Sequence, residues 1–365
     1  MRIGVDVRCL MQQEYSGVSW YTFNLLENLF KLDQKNEYQL FYNSSKKVFL
    51  PKFDQANIGY RGFRFPNKLF NLAVNFGNWP KIDKLIGGTE VFFVPNLHFI
   101  ALSQKTSRLI TVHDLSFLRC PEFFTLRSRL RHWLIVLKKI INQADLIFAD
   151  SDNTKQDLVE LLKIKEEKIK VIYLGTKLTP ASIEDKERVR TKYHLPQKFI
   201  LYLGTLEPRK NVPGIIRAYQ LLAAEEELVI AGAAGWKTGE IYRLAKGNDK
   251  IKFFDYVAEE DKAALYSLAR AFVYPSYYEG FGLPLLEAMA CGCPVIGGGN
   301  SSQGEVVADA GLLVDAYNVR EISLALESLL GDEGLRRLLI DRGLTRAKEF
   351  TWEKTAQEVL NIFNK

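Results

Sequence analysis

The chain of 365 residues is 47% hydrophobic and 25% charged, a composition typical of globular proteins. Its length is large for one hydrophobic core, so we expect two domains of ordinary size. No apolar run reaches the ~18 residues that a membrane-spanning helix needs. Residues 2–7 read directly as a strand, so we expect no secretory signal and a cytoplasmic protein.

The distribution of charge indicates which partners the protein could bind, and the cysteines indicate its redox environment. The net charge of +6 is uneven, with +9 over residues 1–180 and −3 over the remainder. A basic first half suits an acidic partner such as a membrane surface or a phosphate-bearing acceptor, although ordinary variation of surface charge gives the same pattern. We expect no nucleic-acid partner. Cys9, Cys120, Cys291 and Cys293 lack the spacing of a metal site or a CxxC motif, so we expect buried, reduced thiols.

The first half of the chain reads as alternating strands and helices. Residues 17–32 predict a helix, because Trp20, Phe23, Leu26 and Phe30 recur at helical spacing. Apolar runs predict strands at residues 2–7, 39–42, 90–94, 109–112 and 144–149, and residues 170–174 close the first domain. Strands that alternate with helices are typical of a parallel sheet.

Polar residues follow several of these strands. A loop with the single glycine Gly17 precedes the first helix and is either an anion-binding turn or a plain one. His113 and Asp114 end a strand, where a histidine is a ligand contact or a structural side chain; residues 96–98 (Asn-Leu-His) are a further candidate. Residues 150–152 (Asp-Ser-Asp) have a spacing that can hold a divalent cation, but they also suit a helix cap, which we favour.

Two segments of the first half are both basic and aromatic. They cover residues 61–85 and 123–141, and the second carries Arg127, Arg129 and Arg131. A basic amphipathic helix can lie on an anionic membrane. The commoner arrangement, which we favour slightly, is a helix with one face in the core and its basic residues in solvent.

A polar stretch at residues 176–197 predicts a linker and connecting helix. Beyond it the alternation resumes, with strands predicted at residues 198–203, 228–231, 252–254, 271–274, 295–296 and 312–314. The sequence therefore predicts an α/β protein with two Rossmann-like, parallel-sheet domains that face a cleft. The cleft is the expected binding site.

The loop after the first strand of the second domain carries paired cations. It runs from Gly204 to Asn211 and contains Arg209 and Lys210. Asn211 can cap the next helix, with Pro213 in its first turn. Neighbouring cations beside a helix N-terminus are suited to a diphosphate, whereas the plainer interpretation is a basic surface turn.

A second loop of this domain combines glycine with two carboxylates. The stretch EGFGLPLLEA at residues 279–288 follows the strand at 271–275 and opens a helix, with Gly292 placed to end it. Glycine lets the backbone approach a ligand closely, and the free N–H groups of the helix start attract negative charge. Glu279 and Glu287 suit sugar hydroxyls better than phosphate, because carboxylates repel phosphate.

This stretch resembles the signature of the family-four retaining glycosyltransferases, in which two glutamates flank seven residues. The other landmarks follow the order of that family along essentially the whole chain. The resemblance implies the GT-B fold, with a first domain at residues 1–176, a linker at 177–197, a nucleotide-sugar-binding domain at 198–348, and a closing helix at 349–365 that packs on the first domain.

The resemblance also implies roles for individual residues. Arg209 and Lys210 clamp a diphosphate, Glu279 holds donor-sugar hydroxyls, Glu287 holds the ribose, and His113 approaches the donor sugar. Backbone groups expected to line the donor belong to Gly17, Gly204, Phe281, Gly282 and Leu283. In one departure, Thr205 stands where many members have a basic residue, so the neutralisation of phosphate would rest on Arg209 and Lys210.

The expected reaction moves a hexose from a nucleotide-diphosphate sugar to a hydroxyl with retention, and needs neither a metal nor another cofactor. Residues 111–124 and 204–211 look most like bacterial mannosyltransferases, so GDP-mannose is the first expected donor, ahead of UDP-hexoses. The acceptor expected is a glycan or lipid-linked intermediate of polysaccharide or lipopolysaccharide synthesis, met at the inner face of the cell membrane.

Two other functions stay open at this point. A nucleotide-sugar 2-epimerase has the same architecture and would convert the donor without an acceptor. A non-enzymatic, two-lobed sugar-binding protein also has a hinged cleft, but such proteins usually carry an export signal and have no evident use for Arg209 and Lys210 opposite two glutamates.

Overall fold

The computed structural model describes residues 1–12, 15–124 and 135–364, with the backbone alone at 135–137. The chain forms two compact units. The first contains Met1–Arg119, Thr125–Gly175 and Trp352–Lys365, and the second contains Cys120–Phe124 and Thr176–Thr351.

The first unit is built on a parallel sheet of seven strands in the order β3-β2-β1-β4-β5-β6-β7. The strands are β1 (Arg2–Asp6), β2 (Glu37–Asn43), β3 (Ile58–Phe63), β4 (Val91–Val94), β5 (Ser107–Val112), β6 (Leu146–Ala149) and β7 (Ile169–Val171). The strand order reverses beside β1, which lies between β2 and β4. Ligands of open α/β sheets bind at such a reversal, outside the carboxyl ends of the strands.

Helices connect these strands, as parallel pairing requires. They are α1 (Gly17–Leu32), α2 (Asn67–Gly77), α3 (Ile82–Leu85), α4 (Ser116–Arg119), α5 (Ile135–Asn142) and α6 (Asp152–Leu162). Helix α1 begins where Ser16 accepts a hydrogen bond from the N–H of Ser19, and α6 begins at a matching cap made by Ser151. The core between helices and sheet contains the buried side chains of Phe92 and Ile110.

The second unit repeats the plan with six parallel strands in the order β10-β9-β8-β11-β12-β13. The strands are β8 (Phe199–Leu203), β9 (Glu227–Ala231), β10 (Ile251–Phe254), β11 (Ala271–Tyr274), β12 (Val295–Gly298) and β13 (Leu312–Val314). Here the order reverses beside β8, between β9 and β11. The loops that follow β8 and β11 are those that carry the paired cations and the two glutamates.

The helices of the second unit complete the α/β alternation. They are α7 (Ile183–Lys192), α8 (Val212–Gln220), α9 (Gly239–Ala245), α10 (Lys262–Leu268), α11 (Leu283–Ala290), α12 (Gln303–Val307), α13 (Val319–Gly331) and α14 (Glu333–Ala347). Residues 176–197, predicted as a linker, are counted with this unit. Within them α7 is fastened to α10, because Arg188 and Lys192 both form ion pairs with the buried carboxylate of Asp261.

The closing helix α15 (Trp352–Phe363) is counted with the first unit, as the fold prediction required. Trp352 is buried with its ring centroid 6.0 Å from that of Tyr21 on α1. The hydroxyl of Thr355 donates to the carbonyl of Tyr173 at 2.8 Å. These contacts confirm that the end of the chain returns to the first domain.

The basic, aromatic segments differ from their prediction. In the first segment, residues 61–63 end the edge strand β3, residues 67–77 form α2, and residues 82–85 form the short helix α3. Of the second segment, Pro121–Phe123 is a 3-10 turn and α5 begins at 135, while Arg127, Arg129 and Arg131 lie outside the described residues. Within the described ranges, no helix has the length and apolar character to cross a bilayer.

Candidate active site

The loop after β8 turns sharply and presents two cations. Pro208–Lys210 is a single 3-10 turn that closes with a hydrogen bond from the N–H of Lys210 to the carbonyl of Glu207. Both basic side chains are nevertheless largely buried, at 13% exposure for Arg209 and 11% for Lys210. Buried cations are costly unless they are paired, so their partners matter.

One carboxylate from the loop after β11 holds both cations. Lys210 Nζ lies 2.5 Å from Glu279 Oε1, and Arg209 Nη1 lies 3.0 Å from Glu279 Oε2. Arg209 Nη2 also reaches Glu207 Oε1 at 2.7 Å. We call Glu207, Arg209, Lys210 and Glu279 the cation cluster; its formal charges sum to zero.

The electrostatics of the cluster follow from its burial. Burial alone raises the pKa of Glu279, but the charges of Arg209 and Lys210 outweigh it and lower that pKa to about 2. Burial, together with the neighbouring charge of Arg209, lowers the pKa of Lys210 from its ordinary value. Added negative charge near Lys210 would therefore be stabilised, because it offsets the repulsion between the two cations.

Neighbouring groups fix the geometry of the cluster. Ser302 donates its hydroxyl to the carbonyl of Glu279 at 2.8 Å, and Ser301 accepts from the N–H of Glu279 at 3.2 Å. Lys210 Nζ lies 5.1 Å from the centre of the Tyr274 ring, a cation–π distance. Two cations and their shared carboxylate are thus held in place by side chains from three loops.

Asn211 was predicted to cap α8 with its side chain, and the structure shows no such bond. It occupies the N-cap position with a left-handed backbone (φ 57°), but its side chain makes no capping bond. Instead Nδ2 donates to the carbonyls of Pro275 at 3.2 Å and Ala316 at 2.6 Å. The side chain ties the cation loop to the ends of β11 and β13, while Pro213 occupies the first turn of α8 as predicted.

The N-terminus of α11 supplies backbone donors. Gly282 is its N-cap with φ +102°, a conformation that strongly favours glycine. The first turn closes with a bond from the N–H of Leu285 to the carbonyl of Gly282, so the N–H groups of Gly282 and Leu283 precede the intrahelical bonds. The Phe281 side chain is buried, with its ring 5.9 Å from that of Phe350.

Glu287 and Gly204 lie at the same end of the sheet but outside the cluster's ion pairs. Burial raises the pKa of Glu287, and Tyr266 donates its hydroxyl to Oε2 at 3.1 Å. Gly204 follows β8, where its carbonyl leaves no room at Gly232, since a Cβ there would lie 2.1 Å from that oxygen. The loop after β8 and the loop after β9 are therefore packed backbone against backbone.

His113 belongs to the first unit. It follows β5 as Asp150 follows β6, and the register Val112↔Ala149 places the two side by side. His113 Nδ1 lies 2.7 Å from Asp150 Oδ2, and Nε2 lies 3.0 Å from the carbonyl oxygen of Pro95. Burial alone lowers the pKa of His113, but the charge of Asp150 outweighs it and raises that pKa. We call His113 and Asp150 the histidine pair.

Because both ring nitrogens of His113 face acceptors, the imidazolium is the form that satisfies this geometry. Of the Asp-Ser-Asp residues at 150–152, Ser151 caps α6 as favoured above, and Asp152 accepts from the hydroxyl of Tyr173 at 3.1 Å. The two carboxylates thus have different partners. Within the described ranges, no group of three or more His, Cys, Asp or Glu side chains could hold a metal ion.

A cavity of about 600 Å³ opens in the first unit at the carboxyl ends of β1, β2 and β4. It lies beside Gly17, where an added Cβ would meet nothing within 4 Å. Its wall combines apolar side chains, among them Val18, Leu97 and Phe99, with many polar groups and one permanent charge, that of Arg8. The side chains that line it include Arg8, Ser16, Ser19, Asn43, Asn67, Asn71, Asn96 and His98.

The structure thus brings Arg209, Lys210 and Glu279 together and places Gly204, Phe281, Gly282, Leu283 and Glu287 in the same unit. Gly17 and His113 belong to the other unit. Sequence reasoning missed two carboxylates, Glu207 and Asp150, as partners of the cations. The pairing of His113 with Asp150 could have been predicted, because each residue follows one of two adjacent parallel strands, and residues at such matching positions become neighbours.

Two family profiles cover most of the chain. The one described as Glycosyltransferase Family 4 matches residues 15–179, and the one described as Glycosyl transferases group 1 matches residues 184–346. The O-antigen chain mannosyltransferase B of Escherichia coli is 36% identical over 284 residues, which are 75% of this chain and 74% of that protein.

A second relative is the serotype-specific mannosyltransferase WbdA of Escherichia coli. It is 31% identical over 266 residues, covering 69% of this chain but 33% of that longer protein. Among solved structures, a sucrose-phosphate synthase from Thermosynechococcus elongatus superposes over 100% of this chain and 98% of its own, with a TM-score of 0.76 and 20% identity. That likeness shows the fold, and the comparisons give the epimerase alternative no support. The chain therefore belongs to glycosyltransferase family 4, has the GT-B fold, and is a glycosyltransferase.

Proposed function

We propose that this enzyme transfers mannose from GDP-mannose to a hydroxyl of a glycan acceptor, with retention at the anomeric carbon. The observation that carries the proposal is the cation cluster. Breaking the bond between sugar and diphosphate places negative charge on phosphate, and preorganised cations and N–H groups stabilise that charge. Lys210 has three N–H donors and Glu279 accepts one of them, so the ammonium can also donate to a phosphate oxygen.

The donor nucleoside would be held by the second unit. The N–H groups of Gly282 and Leu283 suit a phosphate oxygen, and Glu287, whose Oε2 is bonded to Tyr266, would accept a ribose hydroxyl at Oε1. Glu279 already binds both cations. Its proposed contact with donor-sugar hydroxyls therefore uses the remaining lone pairs of its two oxygens.

A thermal-shift screen tests the choice of donor, because a ligand that binds only the native state raises its apparent stability. GDP and GDP-mannose should raise the unfolding temperature more than UDP, ADP and their sugars. The names of the Escherichia coli relatives support mannose. A larger shift with UDP-glucose or UDP-galactose would replace GDP-mannose with a UDP-hexose.

Retention would proceed without a protein nucleophile, because the cations of the cluster already hold both of its carboxylates, Glu207 and Glu279. Attack on the same face as the departing diphosphate would let a donor phosphate oxygen take the acceptor proton. NMR of the first product reads out the anomeric configuration. An inverted product would contradict this step while leaving the donor assignment intact.

We propose that the acceptor sugar enters the cavity of the first unit. Among the described residues that line it, Arg8 is the one permanently charged side chain. Its Nε and Nη2 pair with Asp6 at 2.9 and 2.6 Å, so the cavity is close to neutral. Amide and hydroxyl groups with no net charge suit the hydroxyls of a sugar better than a phosphate.

Asn71 provides a test of this acceptor site, because it lines the cavity while Asn75 lies one helical turn away on α2. Asn71→Ala should raise KM for the acceptor severalfold and leave slow hydrolysis of GDP-mannose unchanged. Asn75→Ala is the matched control. Methyl mannoside should show saturation transfer from the wild type, and mannose 1-phosphate should show less; the reverse order would contradict a neutral site.

We further propose that the enzyme works peripherally at the inner face of the cell membrane, on a lipid-linked intermediate of polysaccharide synthesis. The basic first half of the chain supports this location. Exposed apolar side chains of the first unit, among them Leu69, Phe76 and Trp79, support it as well.

A further inference from the structure

The outer face of α2 is apolar although it faces solvent. Leu69, Leu72 and Phe76 recur at helical spacing with 65%, 57% and 78% exposure, and Trp79 follows the helix at 68%. We call these four residues the α2 strip. The opposite face of the helix is anchored in the core by Phe70 and Val74, which are buried, so the strip is a permanent feature of the folded surface.

Basic residues dominate the charges near the strip, and the acidic residue that follows them, Asp83, is buried. Residues 59–82 contain four basic residues and no acidic one: Arg61, Arg64, Lys68 and Lys81. Lys139 of α5 donates to the carbonyl of Asn75 on α2 at 3.2 Å and adds a further cation beside the helix. A contiguous apolar strip within a basic field is the pattern of a surface that meets an anionic bilayer.

A second cavity, of about 540 Å³, lies where the strip ends. Asn78 and Lys81, which flank Trp79, line it together with Lys84 and Arg108. It opens at the amino end of β5, whereas the acceptor cavity opens at the carboxyl ends of the strands. We call it the basic cavity.

The basic cavity has an excess of positive charge. Its one acidic lining residue, Asp145, accepts from the N–H of Arg108 at 2.7 Å. Arg108 Nε is buried and has no hydrogen-bond partner among the described residues. A second carboxylate, that of Asp83, lies behind the lining and is engaged by Ser103 and Thr106. The three cations of the lining thus meet two carboxylates that already have partners, and the remaining positive charge suits a phosphate group.

We propose that the basic cavity binds the phosphate of an anionic lipid headgroup while the α2 strip enters the interfacial layer of the same bilayer. Aromatic side chains such as Trp79 favour that layer because their rings are partly apolar and partly polar. The inference rests on the proposed membrane location and names the surface and the headgroup chemistry that would produce it.

This arrangement also relates the bilayer to the acceptor site. Helix α2 contributes Asn67 and Asn71 to the acceptor cavity at one end and is followed by Asn78 at the basic cavity. Eleven residues at about 1.5 Å each separate the two by roughly 16 Å along the helix. A lipid-linked acceptor could therefore reach its site from a membrane on which α2 lies.

Vesicle sedimentation of the full chain tests the proposal, with phosphatidylcholine vesicles compared with vesicles that also contain phosphatidylglycerol. The wild type should bind only the anionic vesicles. The double variant Lys81→Glu/Lys84→Glu should bind them at least about tenfold more weakly, because each cation near an anionic surface contributes to binding. Its matched control is Lys246→Glu/Lys250→Glu, which changes the net charge equally at exposed sites of the second unit.

A second pair of variants tests the strip itself. Leu72→Gln/Phe76→Gln removes exposed apolar groups without opening the core and should also abolish most vesicle binding, whereas Leu221→Gln/Leu338→Gln should not. If binding depends on Lys81 and Lys84 but not on Leu72 and Phe76, the chain attaches to the vesicle by charge alone, and the proposal that the α2 strip enters the bilayer fails. If both charge-reversal pairs weaken binding equally, the cavity has no special role and the proposal also fails.

Donor hydrolysis separates this inference from the proposed transfer reaction. Without vesicles, all four double variants should hydrolyse GDP-mannose at the wild-type rate, because none touches the cation cluster. Loss of vesicle binding with intact hydrolysis in the strip and cavity variants supports the proposal. Wild-type protein that hydrolyses GDP-mannose yet ignores anionic vesicles contradicts it while leaving the transferase assignment in place.

Discussion

The cation cluster of the second unit and the histidine pair of the first unit are built from the same kinds of charged group but leave different groups available for binding. Each places a buried cation against a buried carboxylate just beyond adjacent parallel strands, β8 and β11 or β5 and β6. In the cluster, Glu279 is shared by two cations, and Lys210 still has N–H groups to offer. In the pair, both nitrogens of His113 already face acceptors.

The difference separates a binding function from a positioning function. A cation binds an incoming anion only if some of its donors are not needed to keep the protein folded. Lys210 meets that condition, whereas His113 would have to give up its bond to Asp150 or to Pro95. We therefore expect the cation cluster to control turnover. We expect the histidine pair to fix the conformation of the neighbouring loops of the first unit.

The largest effect should come from Lys210→Ala. Loss of one preorganised charge-stabilising donor typically lowers kcat by about 100-fold or more, and the cluster has no other ammonium to replace it. Release of GDP from GDP-mannose measures the rate. Lys252→Ala is the matched control, because Lys252 of the same unit pairs with Glu227 at the surface, and it should keep the wild-type rate. A Lys210→Ala enzyme with more than a tenth of wild-type activity would refute the cluster's role.

Glu279→Gln should also abolish most turnover, and it carries a pH signature. The pKa of Glu279 is lowered to about 2, so its charge stabilises the fold fully above the ordinary carboxyl pKa and less as pH falls towards 2. Breaking a buried pair costs about 3 kcal/mol or more. The difference in unfolding temperature between wild type and variant should therefore shrink from pH 7 to pH 3.

The control for this comparison is Glu240→Gln, which removes an exposed partner of Arg217. A surface pair contributes about 1 kcal/mol at most, so Glu240→Gln should change the unfolding temperature little at any pH. If Glu279→Gln and Glu240→Gln behave alike, Glu279 does not carry the buried charges as the structure indicates.

A smaller effect is expected at the histidine pair. The raised pKa of His113 means that its charged form stabilises the fold below the ordinary histidine pKa, and that this contribution is lost as pH rises through the raised value. In Asp150→Asn the burial effect should dominate, so the pKa of His113 should fall below the ordinary value. NMR titration can follow this change directly, because the chain has four histidines. An unchanged pKa in Asp150→Asn would show that Asp150 does not set it.

Turnover gives the complementary measurement. His113→Asn should lower kcat by about tenfold or less, well short of the loss in Lys210→Ala. Its acceptor KM should change more than its donor KM if the ring shapes the first unit. A loss as large as that of Lys210→Ala would place His113 among the catalytic residues and erase the contrast between the two regions.

The sequence predicted those elements whose position is determined by residues close together in the chain. The helix at residues 17–32 agrees with α1 to the residue, because an apolar period and a serine cap define it. Strand β3 was missed because Gly59 and Gly62 interrupt its pattern. An added Cβ at these positions would lie 2.7 Å from Gln39 Oε1 and 2.3 Å from the Tyr42 ring, so the glycines make room for β2.

The site was predicted as far as its residues are neighbours in sequence. Arg209, Lys210 and Glu279 were identified from their motifs, but their shared ion pairs depend on how the ends of β8 and β11 meet. Asn211 was predicted as a cap because it precedes a helix with Pro213, yet its bonds go to Pro275 and Ala316, the latter 105 residues away. Residue propensities for capping depend on neighbours in sequence, so they cannot predict hydrogen bonds to residues so far away along the chain.

The smallest expected effect is that of chelation. If the cations of the cluster neutralise the diphosphate, EDTA should change the initial rate by less than about twofold, and added magnesium should not raise it. The rival site is Asp150 with Asp152, whose carboxylates are bonded to His113 and to Tyr173. Each carboxylate would have only its other oxygen to offer a divalent ion beside a diphosphate, and that oxygen of Asp150, Oδ1, is buried. Activity that vanishes in EDTA and returns with magnesium would therefore transfer the neutralising role to the first unit and reverse the comparison between the two regions.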